Sequence, residues 1–322
     1  MLSRRQVLIG AGVSLAAGFV RRAPTVLASA SQPTAPVNFE VPAHACDCHT
    51  HIFGDSSRFP FAASRIYTPE PASVDEMRAL HRTLHTGRVV IVQPSVYSTD
   101  NSCTLDAIRQ LGSSARGVAV IDDKTPQKAL DEMDRAGIRG IRINLETVGQ
   151  ADPAVGRQRF QAAVERIKGR NWHVEIYTRL SVIEGMRDQL MAASVPLVFD
   201  HFGGAQAALG SRQAGFEILL NLVRSGKAYV KVSAPYRSST QGPNYPDVAE
   251  LAKALIAANP QRVLWGTDWP HPAQVVGRKA TDITPLYRID DGLVFNQLAV
   301  WARDPEQRKT ILVENPAKLY GF

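Results

Sequence analysis

Cysteine is scarce: three residues in 322, at positions 46, 48 and 103. A CxC pair with one distant partner is neither a disulfide framework nor a zinc-ribbon spacing, which excludes a scaffold held by crosslinks. Long apolar runs are missing as well. The one extended apolar stretch, residues 7–20, is rich in Gly and Ala and falls short of the roughly 20 residues a bilayer span needs. Acids are absent from the first thirty residues, where Arg4, Arg5, Arg21 and Arg22 supply four of the seven units of net positive charge and leave +3 for the rest. No basic run is interleaved with aromatics, so a nucleic-acid surface is excluded. Repeats, low-complexity tracts and a glycine-rich phosphate-binding turn are absent too, the last arguing against a dinucleotide-binding sheet.

What is present begins with a twin arginine, Arg4 and Arg5, then the short apolar stretch and Ala28-Ser29-Ala30 as a small-residue cleavage site. Residues 1–30 therefore read as a twin-arginine signal peptide. The implied partner is the twin-arginine translocase, which carries folded proteins, and the implied location is the periplasm without stable membrane insertion after cleavage. Residues 31–43, rich in Pro, Ser and Thr, read as a linker. With 44% hydrophobic residues, residues 44–322 can bury the core of one large domain.

Eight short runs rich in Val and Ile recur along that domain: ACDCHTHIF, RVVIVQPS, RGVAVID, GIRGIRIN, WHVEIYT, VPLVFDHFG, AYVKVSAP and RVLWGTDW. Helical stretches are expected between them, at 74–85, 126–136, 154–169, 181–193, 213–225 and 246–258. Such alternation predicts βαβ units and a parallel sheet, and eight strands over this length predict a single-domain (β/α)8 TIM barrel. Polar residues gather at the C-terminal ends of the runs: His49, His51, Ser95, Arg142, Tyr177, His201, Ser233 with Arg237 beyond it, and Asp268. That is the face on which such barrels build active sites. Strand alternation puts Cys46 and Cys48 on the outer face, opposite Asp47, His49 and His51. Asp47 is then in reach of a site ring, Asp200 points toward the helices, and His44 and His271 are structural.

His49 and His51, two apart at a strand end, can both enter the barrel mouth, with Asp268 approaching from the last strand and His201 nearby. Such a set can hold a zinc that activates water. It can also work without metal, imidazoles stabilising an oxyanion while the carboxylate takes a proton from water.

HTHIFG, QPSVY, GIRGIRIN, DHFG and WGTDWPHP, in barrel order over residues 44–322, resemble the amidohydrolase superfamily. The resemblance is to its amidohydrolase 2 type, in the branch around 2-pyrone-4,6-dicarboxylate lactonase, sulfomuconolactone hydrolase and aldarolactone-acting enzymes. It implies a hydrolase opening a small anionic lactone, with Asp268 the general base and His49, His51 and His201 polarising the carbonyl and holding the oxyanion. Arg142, Arg237, Ser95, Tyr177 and Tyr67 match positions that bind substrate carboxylates. Metal-binding relatives carry a further histidine where Tyr177 stands, so no metal is expected to be required. Were a mononuclear zinc present, its ligands would be His49, His51, His201 and Asp268. Val148 and Gly204 stand where the dicarboxylate lactonase has arginines, which implies a substrate with one anion rather than two. The alternatives are an aldarolactone isomerase, in which Asp268 deprotonates a substrate hydroxyl, and an idle binding protein, for which an intact base and three histidines have no use.

Overall fold

Eight buried parallel strands follow one another around the sheet: β1 (Cys46–Thr50), β2 (Arg88–Val92), β3 (Ala115–Ala119), β4 (Ile138–Asn144), β5 (His173–Tyr177), β6 (Leu197–Phe199), β7 (Ala228–Ser233) and β8 (Val263–Gly266). Each pairs in parallel with the next. Past the end of β8, Asp268 N–H donates to His49 O (2.8 Å) and His51 N–H to Trp269 O (2.8 Å), so the last strand end returns beside the first. The result is a nearly closed eight-stranded barrel of the (β/α)8 kind. The computed structural model describes residues 30–273 and 277–322; the twin-arginine segment at 1–29 lies outside the described residues.

The helices form where local chemistry starts and stops them. Helix α1 (Val74–Leu84) opens on a Ser73–Glu76 capping box and ends at His85 in the left-handed region, φ 57°. Helix α2 (Ser102–Leu111), not among the expected helices, packs on β3. Helices α3 (Gln127–Ala136) and α4 (Pro153–Ile167) fall where periodicity put them. The expected helix at 181–193 is broken at Met186 into α5 (Leu180–Gly185) and α6 (Arg187–Met191). Phe216–Arg224 and Ala249–Ala258 shorten the two remaining expectations. Ahead of β1, the 31–43 stretch lies against the segment that follows β8: Thr34 and Ala35 N–H donate to Asp290, and Trp269 Nε1 to Ser31 O.

The apolar core has two parts. The larger lies between the outer faces of the strands and the helices. The smaller is inside the barrel, where Cys46, Cys48, Val90, Val92, Val118, Val198 and Leu264 meet Tyr320 from the C-terminal helix. This corrects the placing of the cysteines. In β1, Asp47 pairs with Val89 but Thr50 with Ile91, so one extra residue is bulged between them. Cys46 and Cys48 point inward below the bulge and His49 and His51 point inward above it, while Asp47 faces out to His81 of α1 (3.2 Å).

Candidate active site

Three turns of backbone aim the site residues. His49 and His51 enter from the bulged end of β1. His201 follows β6 at φ 48° and Asp268 follows β8 at φ 66°, left-handed conformations that non-glycine residues rarely adopt. Each turns a side chain back over the barrel mouth. Asp47, although outside, braces the arrangement by accepting from the backbone N–H of His49 (3.1 Å) and Thr267 (3.0 Å). Toward the site it orients backbone rather than a ring. Gly266 permits the close approach of β8 to β1, since a Cβ there would lie 2.8 Å from His49 N.

The geometry converges on one atom. Asp268 Oδ1 lies 3.3 Å from His51 Nε2, 3.5 Å from His49 Nε2 and 3.8 Å from His201 Nε2. Both His49 Nε2 and Asp268 Oδ1 are buried without a hydrogen-bond partner. The other oxygen is committed: Asp268 Oδ2 accepts from Tyr236 Oη (2.5 Å) and Arg237 Nε (2.8 Å). Burial alone would raise the Asp268 carboxyl, but the Arg237 guanidinium overcomes it and holds the group well below the usual carboxylate range. Burial, with Lys231 as the next contributor, lowers His49 to about 3, and burial lowers His201 well below its ordinary value. Both rings are neutral at pH 7, so Arg237 is the cation that keeps Asp268 ionised.

Beneath this layer lies a charged group in which sequence reasoning missed Lys231. Lys231, Glu175 and Asp200 are fully buried and Arg142 nearly so. Lys231 Nζ pairs with Glu175 Oε2 and lies 3.0 Å from His49 Nδ1. Arg142 donates from Nε (3.0 Å) and Nη2 (2.9 Å) to Asp200 Oδ2. Asp200 thus points into the barrel, contrary to expectation. It continues the inward alternation of Val198, and the left-handed turn at His201 then brings the next side chain to the same side. Period-two spacing was the available signal: Glu175 with Tyr177, and Lys231 with Ser233, share one strand face in runs otherwise apolar.

Above the histidines is a cavity of about 110 Å³ lined by His51, Tyr67, Ser95, Arg142, Tyr177, His201, Arg237 and Asp268, with Asn144, Glu146 and Thr147 on one wall. Every residue expected to bind substrate therefore meets at one place. Tyr177 stacks edge-on against His201 (5.0 Å) and under Arg142 (5.2 Å). Gly204 borders an adjoining hollow, and its φ of +77° with a Cβ position 2.3 Å from Thr178 O leaves no room for a cationic side chain. Val148 is exposed and outside the cavity wall, whereas Glu146 is in it, paired with Arg179 at 2.8 Å. A larger hollow of about 570 Å³ beside α4 shares Ser95, Arg142 and Asn144 but holds none of the histidines and not Asp268. His51, His201 and Asp268 line the smaller one.

The set tests unevenly as a metal centre. Among the described residues, His49, His201 and Asp268 are close enough to hold an ion, as are His49, Glu175 and Asp200. His51 suits ligation, because its Nδ1 faces Val92 O at 2.8 Å and leaves Nε2 directed inward. His49 suits it less, because its Nδ1 lies 3.0 Å from the Lys231 ammonium, whose positive charge opposes a second cation on the ring.

With the site drawn, comparison with known proteins settles the lineage. The sequence profile of the Amidohydrolase family matches residues 46–322. The chain belongs to that family. It is 34% identical over 299 residues to the 2-pyrone-4,6-dicarboxylate hydrolase of Comamonas testosteroni, covering 90% of this chain and 94% of that one. It is 32% identical over 288 residues to the 4-sulfomuconolactone hydrolase of Rhizobium radiobacter, covering 89% and 93%. The D-galactarolactone isomerase of Agrobacterium fabrum matches at 29% over 246 residues, 76% and 80% of the two chains. Among solved structures, a probable 2-pyrone-4,6-dicarboxylic acid hydrolase from Acinetobacter baumannii with citric acid bound superposes with a TM-score of 0.70 at 26% identity, covering 87% of this chain and all of that one.

Proposed function

We propose that this amidohydrolase family member is a lactone hydrolase acting on a small lactone with one anionic group. The observation that carries the reading is the meeting of three imidazole nitrogens at a single unpartnered carboxylate oxygen, Asp268 Oδ1, at the floor of a cavity lined by two arginines. Relatives named as lactone hydrolases support the reaction class.

In this reading a water bound at Asp268 Oδ1 loses its proton to that oxygen as it attacks the ring carbonyl. His51, with its proton on Nδ1 toward Val92 O, accepts the second hydrogen of that water and fixes its direction. The tetrahedral oxyanion receives hydrogen bonds from Nε2–H of His49 and from His201, whose Nδ1 is held by Ser233 Oγ at 2.9 Å. Collapse breaks the ring C–O bond, and Asp268 returns its proton to the leaving oxygen. Arg237 and Arg142 pair the substrate anion, while Glu146 opposes a second negative charge on that wall. A zinc, if loaded, would have to draw on His49, His201 and Asp268, the set within mutual reach among the described residues, and would supply a more acidic water. The ammonium on His49 and the guanidinium on Asp268 favour the metal-independent route.

The test is a pH-indicator screen of purified protein against monoanionic and dianionic lactones, with and without chelator. Ring opening of a monoanionic lactone, insensitive to chelation, is the expected result. Silence across the panel removes the reading. The relative named D-galactarolactone isomerase motivates one competing outcome, in which Asp268 deprotonates a substrate hydroxyl. Product mass decides it: one added water for the hydrolase, none for the isomerase.

A further inference from the structure

We infer that Lys231 is a positioning residue: its buried ammonium, set among His49 Nδ1, Glu175 and Asp200 as a cation would be in a metal centre, locks His49 into the Nε2–H form that serves as a donor to the reaction. The inference deepens the lactonase reading and rests on it for the role of that donor, though not for the position of the proton.

The argument is one of donors and acceptors. Lys231 Nζ pairs with Glu175 Oε2, lies 3.3 Å from Asp200 Oδ1 and 3.0 Å from His49 Nδ1, and all four side chains are fully buried. An ammonium has three protons and no lone pair, so the ring nitrogen it meets must be the acceptor. Asp200 Oδ1, 3.2 Å from the same nitrogen, competes for it, but the ammonium is nearer at 3.0 Å and Asp200 Oδ1 lacks hydrogen-bond alignment. The ring's single proton therefore sits on Nε2, which has no partner in the protein and faces Asp268 Oδ1 at 3.5 Å across the reaction space. Without the ammonium, Asp200 is the neighbour of Nδ1 and the proton moves there. Nε2 would then offer a lone pair to a developing oxyanion, and the site would lose a donor in a place where one donor is typically worth about 10²-fold to 10³-fold in kcat. The charge arrangement fits that purpose. Two buried cations, Lys231 and Arg142, are matched by two buried acids, Glu175 and Asp200, a layer that apolar residues would replace at no loss of stability.

The first experiment needs no substrate. In full-length protein labelled with ¹⁵N-histidine, long-range proton–nitrogen correlation reads which nitrogen of His49 bears the proton, its signals identified by their loss in His49→Gln. A proton on Nε2 is expected; a proton on Nδ1 overturns the inference whatever the substrate proves to be. The second compares Glu175→Gln, which keeps the lysine, with Glu175→Gln/Lys231→Met, which removes one buried acid and one buried cation together. The double variant should move the proton to Nδ1 and lower kcat a further 10²-fold to 10³-fold below Glu175→Gln, with KM little changed. An equal loss in both variants, or an unmoved proton in the double variant, means that Lys231 only fills space. Should the double variant fail to fold, the wild-type spectrum decides alone. If the spectrum is as expected but no lactone is opened, the tautomer assignment stands and the proposed function falls.

Discussion

The inside of the barrel is two different solvents stacked on each other. Its lower half is apolar, Val90, Val118, Val198 and Leu264 around Tyr320. Its upper half holds Arg142, Glu175, Asp200, Lys231 and Asp268, all buried. On β7 the change from Tyr229 to Lys231, and on β6 from Val198 to Asp200, takes two residues, a rise of about 7 Å. The lower half gains stability by removing apolar surface from water. The upper half gains little from its ion pairs after desolvation and instead fixes where protons and charges sit. Stability and chemistry thus occupy the same strands at different heights.

Several substitutions separate the halves. The largest effect is expected for Asp268→Asn, which keeps size but removes the base: kcat should fall roughly 10²-fold to 10⁴-fold while the urea midpoint changes far less, and near-normal turnover would dismiss Asp268 as the base. Leu264→Ala should do the reverse. It should cost about 2–5 kcal/mol of unfolding free energy and leave kcat per folded molecule unchanged; a kinetic defect of similar size would show that the halves are not separable.

A pH titration of stability addresses the upper half directly. His49 titrates near 3 when folded and near 6.5 when unfolded, so between those values the unfolded chain binds the extra proton. Stability therefore rises with pH through that window, by up to about 1.4 kcal/mol per pH unit, and is lost as pH falls from about 6.5 toward 3. The His49→Gln variant should show a shallower slope in urea denaturation across that range; an identical slope would mean the ring is protonated in the folded state. The smallest effect concerns the cavity wall. Glu146→Gln frees Arg179 and removes a negative charge from a half-exposed pair, so a dianionic lactone should gain up to about fivefold in kcat/KM relative to its monoanionic analogue. Val148→Arg, on an exposed position outside the wall, should gain nothing. The opposite pattern would return the specificity to position 148.

Much of the candidate site was legible because its side chains gather near the C-terminal ends of the barrel strands, and a strand end is visible as polar residues closing an apolar run. His49, His51, Arg142, Tyr177, His201 and Asp268 were all found that way. Lys231 was passed over because it sits in mid-strand, where an apolar context suggests plain core. Asp200 and the cysteines were assigned to the wrong side, each for one local irregularity: the bulge in β1 and the left-handed turn at His201. Periodicity counts residues and cannot see an inserted one. Tyr236, which donates to Asp268 from beyond β7, carries no spacing signal at all.

The sequence by itself determined the alternation of strands and helices, the barrel class, the family and the strand-end placing of Asp268 and the three histidines. These depend on hydrophobic period and on residue type at strand ends, both written locally along the chain. Only the tertiary structure decided that Lys231 meets His49 across 182 positions of sequence, that Arg237 holds Asp268 ionised, and that Glu146 rather than Val148 forms the cavity wall. Proton positions and charge states are set by distances between groups and by exclusion of water, and neither quantity exists until the barrel closes.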